Sequence, residues 1–292
     1  MDEYVHWLSV EKGRSRATLD AYRRDALGLV SWLNERGGAL GDVGATQLDE
    51  YLGALRAARA PSTVARATST LRGLFAFLVE EGFRPDDPSS HVKAVRRGRR
   101  LPKPLDEEEV TRLLDAVPRA TPRDRRDRAL LELLYGTGVR VSEALGVELG
   151  DLDFDERLIR VTGKGNKQRL VPMGSILESA LRDYLGPGGR VELATRAGTR
   201  LLLNNRGGPL SRQGVDLIIA RRALEAGVER SRVSAHVFRH SCATHMLAHG
   251  ADIRVVQELL GHASIATTQL YTAVSATSLQ REYENAHPRA HE

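Results

Sequence analysis

Between residues 84 and 104, four prolines (Pro85, Pro88, Pro102 and Pro104) interrupt a chain that otherwise reads mostly as helix. Proline lacks a backbone N–H and clashes with the preceding turn, so no regular helix runs through such a stretch. The basic run Arg96-Arg97-Gly98-Arg99-Arg100 lies within it. This segment reads as a linker, and it divides the chain into residues 1–98, basic linker included, and 99–292. A total of 292 residues agrees with two domains of roughly 150 residues each. The run itself fits a solvated charged loop, or a strap along phosphates bound through counterion release.

The first part reads as four helices. Asp2 to Val10 is short and amphipathic. Ala17 to Arg36 repeats Leu19, Tyr22, Ala26, Leu29, Val30 and Leu33 at helical spacing, and Gly37-Gly38 stops it. Thr46 to Arg59 follows, with Thr46 as the expected N-cap and Asp49 three residues on. Pro61 to Glu81 is the fourth. Short connections between four helices predict a small bundle.

The second part is expected to be mixed but mostly helical. Asp106-Glu107-Glu108-Glu109 starts one helix with charge that suits its dipole. Helices are predicted at Arg125 to Tyr135, from Ser142, and at Ser211 to Ala226, His236 to His249, Ile253 to Leu260 and Ser275 to His287. Leu158 to Thr162 and Arg169 to Met173 read as strands of a hairpin joined by Gly163 to Gln168. Leu201 to Leu203 reads as a further short strand. The fold class is therefore mainly α, with a small β-hairpin or sheet in the second domain.

Charge narrows the function. Lys plus Arg total 43 against 38 Asp plus Glu, a net charge of +5. Arginine, the dominant cation, suits bidentate binding of phosphate. The single cysteine, Cys242, excludes an intramolecular disulfide and a cysteine-rich zinc site, and reads as a small buried residue. No apolar run approaches the roughly 20 residues of a membrane span, and no secretory leader is visible, so a cytoplasmic location is expected.

The chemistry-bearing residues cluster late in the chain. His236, Arg239 and His240 share one helix face near an N-terminus, which suits an anion. A zinc reading, with His236, His240 and His245 as ligands, is disfavoured because Arg239 shares their face. Arg140 follows the glycine turn Gly136-Thr137-Gly138, Lys164 lies between two glycines at the hairpin tip, His262 follows Gly261, and Tyr271 lies nine residues beyond. Each alone is an ordinary surface or packing residue.

Together, Arg140, Lys164, His236, Arg239, His262 and Tyr271 resemble the active-site set of the tyrosine recombinase (phage integrase) family. The stretches that carry the resemblance are GTGVRVSEAL, GKGNKQRLVP, HVFRHSCATHML and LLGHASIATTQLYT. AYRRD in the first part and AHPRA at the end resemble the bacterial Xer recombinases, with the XerD branch the closer fit. Two positions depart from the pattern: Phe238 stands where leucine is usual, and Ala273 where histidine usually follows Tyr-Thr.

The resemblance implies a SAM-like core-binding domain and a catalytic domain. It implies metal-independent transesterification of duplex DNA with no cofactor: Tyr271 attacks to give a 3′-phosphotyrosyl bond, Arg140, Arg239 and His262 bind the phosphate, Lys164 serves as general acid, and His236 serves as base or orienting group. Glu143 reads equally well as a partner that orients a site residue or as a surface carboxylate. Arg160 and Arg169, flanking the hairpin, read as phosphate-facing or strand-surface residues.

The implied partners are a duplex recombination site, a related XerC-like recombinase in a cyclic tetramer that passes through a Holliday junction, and a division-associated DNA translocase such as FtsK. No membrane or small-molecule substrate is implied. The expected role is resolution of chromosome dimers at a dif-type site, with a mobile-element or phage integrase as the alternative. The last helix, through Ala276, Leu279 and Tyr283, is expected to dock on a neighbouring protomer.

Overall fold

The computed structural model describes residues 1–10, 16–92, 103–194, 198–261 and 273–291. The chain forms two compact units, Met1–Arg100 and Leu101–Glu292. The basic run at 96–100, His262 and Tyr271 lie outside the described residues.

The first unit contains four helices: α1 (Asp2–Val10), α2 (Arg16–Asn34), α3 (Ala45–Ala58) and α4 (Pro61–Glu80). Ala26, Leu29 and Leu33 bury one face of α2 against Leu71, Leu74 and Phe75 of the same apolar core. A carboxylate interrupts that face. Asp25, the last residue of AYRRD, is nearly buried and receives Nε and Nη2 of Arg66 at 2.9 and 2.8 Å and the Thr70 hydroxyl at 3.1 Å. A buried carboxylate needs such partners, and the pair fixes how α2 lies on α4. The structure moves the expected start of α3. Gly44, not Thr46, is its N-cap, because the Gln47 side chain accepts the Gly44 N–H at 3.2 Å.

The second unit begins with α5 (Glu107–Asp115). Its N-cap Asp106 accepts the Glu109 N–H at 2.7 Å, and Glu109 accepts the Asp106 N–H at 3.0 Å. This reciprocal cap satisfies two of the amides a helix start leaves open. Next comes α6 (Pro122–Thr137), longer at both ends than expected. Thr121 caps it, Pro122 opens it, and Gly138 closes it at φ +60°.

From Arg126 onward every residue of α6 is buried, so it forms the axis of the unit and shows no amphipathic stripe. Its buried carboxylates are paired internally. Asp127 receives Arg126 Nε at 2.9 Å and Arg222 Nε at 3.0 Å, while Glu132 receives Nε and Nη2 of Arg289 at 3.1 and 2.7 Å.

After α7 (Val141–Gly146) the chain makes an antiparallel sheet, order β1-β2-β3: β1 (Leu152–Asp153), β2 (Leu158–Thr162) and β3 (Gln168–Pro172). Val161 pairs with Arg169 and Thr162 with Gln168. The two-residue β1 is too short to show alternation in sequence. Leu201 to Leu203 is not a strand: all three side chains are buried, and only isolated bridges, Glu148 with Arg200 and Leu203 with Pro209, flank and close the segment.

The remaining helices are α8 (Ser175–Leu185), α9 (Arg190–Leu193), α10 (Arg212–Glu225), α11 (Ala235–Ala248), α12 (Ile253–Leu260) and α13 (Ala273–Ala286). The helix α8 packs on α6; it was not among the expected helices, although Leu177, Ala180, Leu181 and Tyr184 carry helical spacing. Among the described residues, no helix is long and apolar enough to cross a membrane.

The last helix packs within its own unit. Of the residues expected to dock on a neighbour, Leu279 and Tyr283 are buried in this unit's own core, as is Ala286, while the Ala276 side chain lies outside the described residues. Beyond it, Arg289 is tied to Glu132, and the Ala290 carbonyl accepts the Ser175 N–H at 2.9 Å. The AHPRA ending is thus an internal clasp.

Candidate active site

Three elements deliver arginines to one place. Gly138 ends α6 in the left-handed region, and a Cβ there would lie 2.7 Å from Leu260 Cδ2, so glycine suits the position for backbone and for space. Two residues later Arg140 is the N-cap of α7. Its backbone N–H reaches Glu143 Oε2 at 2.8 Å and its Nη1 reaches Glu143 Oε1 at 2.9 Å. The Arg140 side chain remains 46% exposed.

Arg239, on α11 behind the Ser234 cap, is 8% exposed. Its Nη1 donates to the Gly138 carbonyl and its Nη2 to the Leu260 carbonyl, both at 2.7 Å. Arg169 comes from β3.

All three arginines meet the end of α12. Arg169 Nε donates to Leu259 at 3.0 Å, Arg239 to Leu260, and Arg140 Nη2 to the Gly261 carbonyl at 3.2 Å. A helix C-terminus leaves carbonyls unsatisfied and carries partial negative charge, so guanidinium groups are its natural partners. Gly261 closes α12 at φ +65°, and His262 is the next residue in sequence.

Electrostatics follow from burial. Burial pushes the Arg239 guanidinium down to about 10, with Arg140 as a further like charge, and it stays protonated at neutral pH. Burial alone would raise the Glu143 carboxyl, but Arg169 and then Arg140 hold it below the ordinary carboxylate value. Glu143 is therefore a buried anion, 2% exposed, shared by two arginines. Cys242, one turn beyond Arg239, is buried and its thiol is pushed up to about 12 by burial, so it stays protonated and inert.

The other expected site residues fall as follows. His236 is exposed and His240 half-buried on α11. His245 is committed elsewhere, with Nδ1 on the Tyr135 hydroxyl and Nε2 on the Leu105 carbonyl, each at 2.9 Å. Among the described residues, no group of three or more His, Cys, Asp or Glu is placed to hold a metal ion. Lys164 opens the 3-10 turn Lys164–Asn166 at the hairpin tip; its side chain is outside the description.

Arg160 lies half-exposed on β2, 3.7 Å from Asp151. Arg169 does not face outward: it is buried, and its forked donors meet both Glu143 oxygens at 3.0 and 2.9 Å. The sequence signal for this was parity, since Arg169 shares the inward face of β3 with Val171.

Residues 103–278 match the phage integrase family, and residues 1–82 match the phage integrase N-terminal SAM-like domain. The chain belongs to the phage integrase family. It is 44% identical to the tyrosine recombinase XerD of Corynebacterium glutamicum, over 97% of this chain and 96% of that protein. It is 37% identical to tyrosine recombinase XerD of Halalkalibacterium halodurans, over 99% of this chain and 98% of that one.

Among solved structures, its fold is similar to that of XerH recombinase bound to palindromic difH substrate (24% identity, TM-score 0.70, 91% of this chain and 75% of that chain). The fold is also similar to that of the Tn1549 transposon integrase in complex with circular intermediate DNA (17% identity, TM-score 0.71, 94% and 97%). As a member of this family the chain is a tyrosine recombinase, a DNA strand-transferring enzyme.

Proposed function

We propose that this recombinase cuts and rejoins duplex DNA with Tyr271 as nucleophile, through a 3′-phosphotyrosyl intermediate and a Holliday junction. One observation carries the reading: Arg140 and Arg239 converge on the Gly261 and Leu260 carbonyls at the α12 terminus, immediately before His262 in sequence. Attack on a phosphodiester concentrates negative charge on its non-bridging oxygens, and fixed donors aimed at that charge are usually the largest catalytic term. Half-exposed Arg140 and buried Arg239 supply such donors, with His262 as a third.

The Tyr271 oxygen forms the new ester as the 5′-oxygen leaves. The covalent link conserves the bond energy for rejoining. The departing 5′-oxygen takes a proton from Lys164 on the hairpin, and His236 orients Tyr271 or accepts its proton. In this reading the first unit binds the core of the site, and the chain works in the cytoplasm. It resolves chromosome dimers at a dif-type sequence with an XerC-like partner in a cyclic tetramer, activated by a division-associated translocase of the FtsK kind.

Covalent capture tests this. The full chain is mixed with sheared DNA of its host and denatured, and DNA linked to the protein is sequenced, with Tyr271→Phe as control. Tyrosine-dependent adducts at one chromosomal locus are the expected result. Adducts at mobile-element ends would instead favour an integrase role, and none with or without the partner recombinase would overturn the nucleophile assignment.

A further inference from the structure

The buried Arg169 guanidinium joins two parts of the site. Its Nη1 and Nη2 hold Glu143 at 3.0 and 2.9 Å, and its Nε holds the Leu259 carbonyl at 3.0 Å. Glu143 in turn holds Arg140 by backbone and by side chain. Two glycines leave room for this pair. A Cβ at Gly261 would lie 3.0 Å from Arg169 Nη1, and one at Gly163 would lie 3.3 Å from Glu143 Oε1. A forked guanidinium–carboxylate pair fixes orientation as well as distance. Lysine, a point charge without the fork, cannot meet both oxygens and the Leu259 carbonyl together.

We propose that Arg169 is a positioning residue for strand cleavage, orienting Arg140 through Glu143 and using the last turn of α12 as its own anchor. The proposal rests on the reading above, in which Arg140 binds the scissile phosphate. Arg169 is enclosed by protein and acts without touching DNA. It also sits on the strand that follows the Lys164 turn, so the hairpin and the phosphate-binding arginine share one fixed point.

The test uses the full chain and the duplex recovered by covalent capture. Arg169→Lys is expected to bind that duplex within about twofold of wild type and to melt within a few degrees of it, while single-turnover adduct formation falls by at least about tenfold, as misplacement of a catalytic group does. The decisive arm repeats the change in an Arg140→Ala background on a duplex with a 5′-bridging sulfur, where cleavage is easier to follow. If Arg169 acts through Arg140, the second change costs less than about twofold there.

A full tenfold loss in that background, or a wild-type rate for Arg169→Lys alone, overturns the proposal. Should Arg169→Lys melt much lower, Glu143→Asp moves the same link by one methylene, and the same non-additivity with Arg140→Ala is expected. Failure of the wild-type chain to form any adduct would remove the Tyr271 reading itself, before any variant is compared.

Discussion

Arg239 reaches the Leu260 carbonyl at 2.7 Å while its other terminal nitrogen reaches Gly138, so one guanidinium bridges the end of α12 to the end of α6. Losing it removes a phosphate donor and unties two helix ends. Arg239→Ala is expected to lower single-turnover cleavage by at least about 100-fold, the usual cost of one preorganised donor. Adduct yield on the captured duplex, compared at equal DNA occupancy, measures it.

Tyr271→Phe deletes the nucleophile and keeps the ring, so DNA affinity should stay near wild type while adducts vanish. Lys164→Ala should slow cleavage of ordinary DNA and recover on a 5′-bridging sulfur substrate, whose leaving group needs no proton. Adducts in the first variant, or no recovery in the second, would remove the corresponding role.

Gly138→Ala places a Cβ at φ +60°, 2.7 Å from Leu260 Cδ2. The left-handed backbone alone costs an alanine about 1–2 kcal/mol. A drop in unfolding free energy of at least that size is expected in denaturant titrations, with slower cleavage because Leu260 and Gly138 both carry Arg239. Wild-type stability would mean this turn relaxes freely.

Acid should loosen the catalytic unit before its carboxylates titrate. Burial pushes the His287 imidazole down from 6.5 to about 3, between Tyr135 and Tyr283, and burial also lowers His245. Both bind fewer protons folded than unfolded in this window, so their contribution is complete above about pH 6.5 and is lost as pH falls toward the folded values. The denaturation midpoint should drop between pH 6.5 and 5. His287→Asn, which can keep a donor toward the Tyr135 carbonyl, should flatten that slope; an unchanged slope would assign the acid sensitivity elsewhere.

The sequence made the four-helix first unit legible because Ala26, Leu29 and Leu33 repeat at helical spacing, and it made the hairpin legible because two β-prone runs flank glycines. Arg140 and Arg239 were legible only as part of a joint pattern. Two things were hidden. The helix α6 was legible as a helix over Arg125 to Tyr135, but its burial on every side from Arg126 onward was not, because it carries no amphipathic stripe. The arginine excess also suggested phosphate binding more broadly than the fold supports. Arg84, Arg126, Arg169, Arg190, Arg222 and Arg289 are all buried and bonded to carbonyls or carboxylates of their own unit. A composition count cannot separate an arginine that staples a core from one that waits for a ligand.

Arg140 and Arg169 share one carboxylate, Glu143, and Arg239 beside them is bonded to the Gly138 and Leu260 carbonyls. Among the described residues, three guanidinium groups thus stand beside one carboxylate, two of them buried and Arg140 open to solvent, which leaves net positive charge at the site. That is a standing tension in the fold, relieved when an anion arrives. Blunting it with Arg140→Gln should yield a protein that withstands heat better while empty, gains less from added DNA, and no longer cuts. Stability and catalysis would then pull in opposite directions at a single side chain.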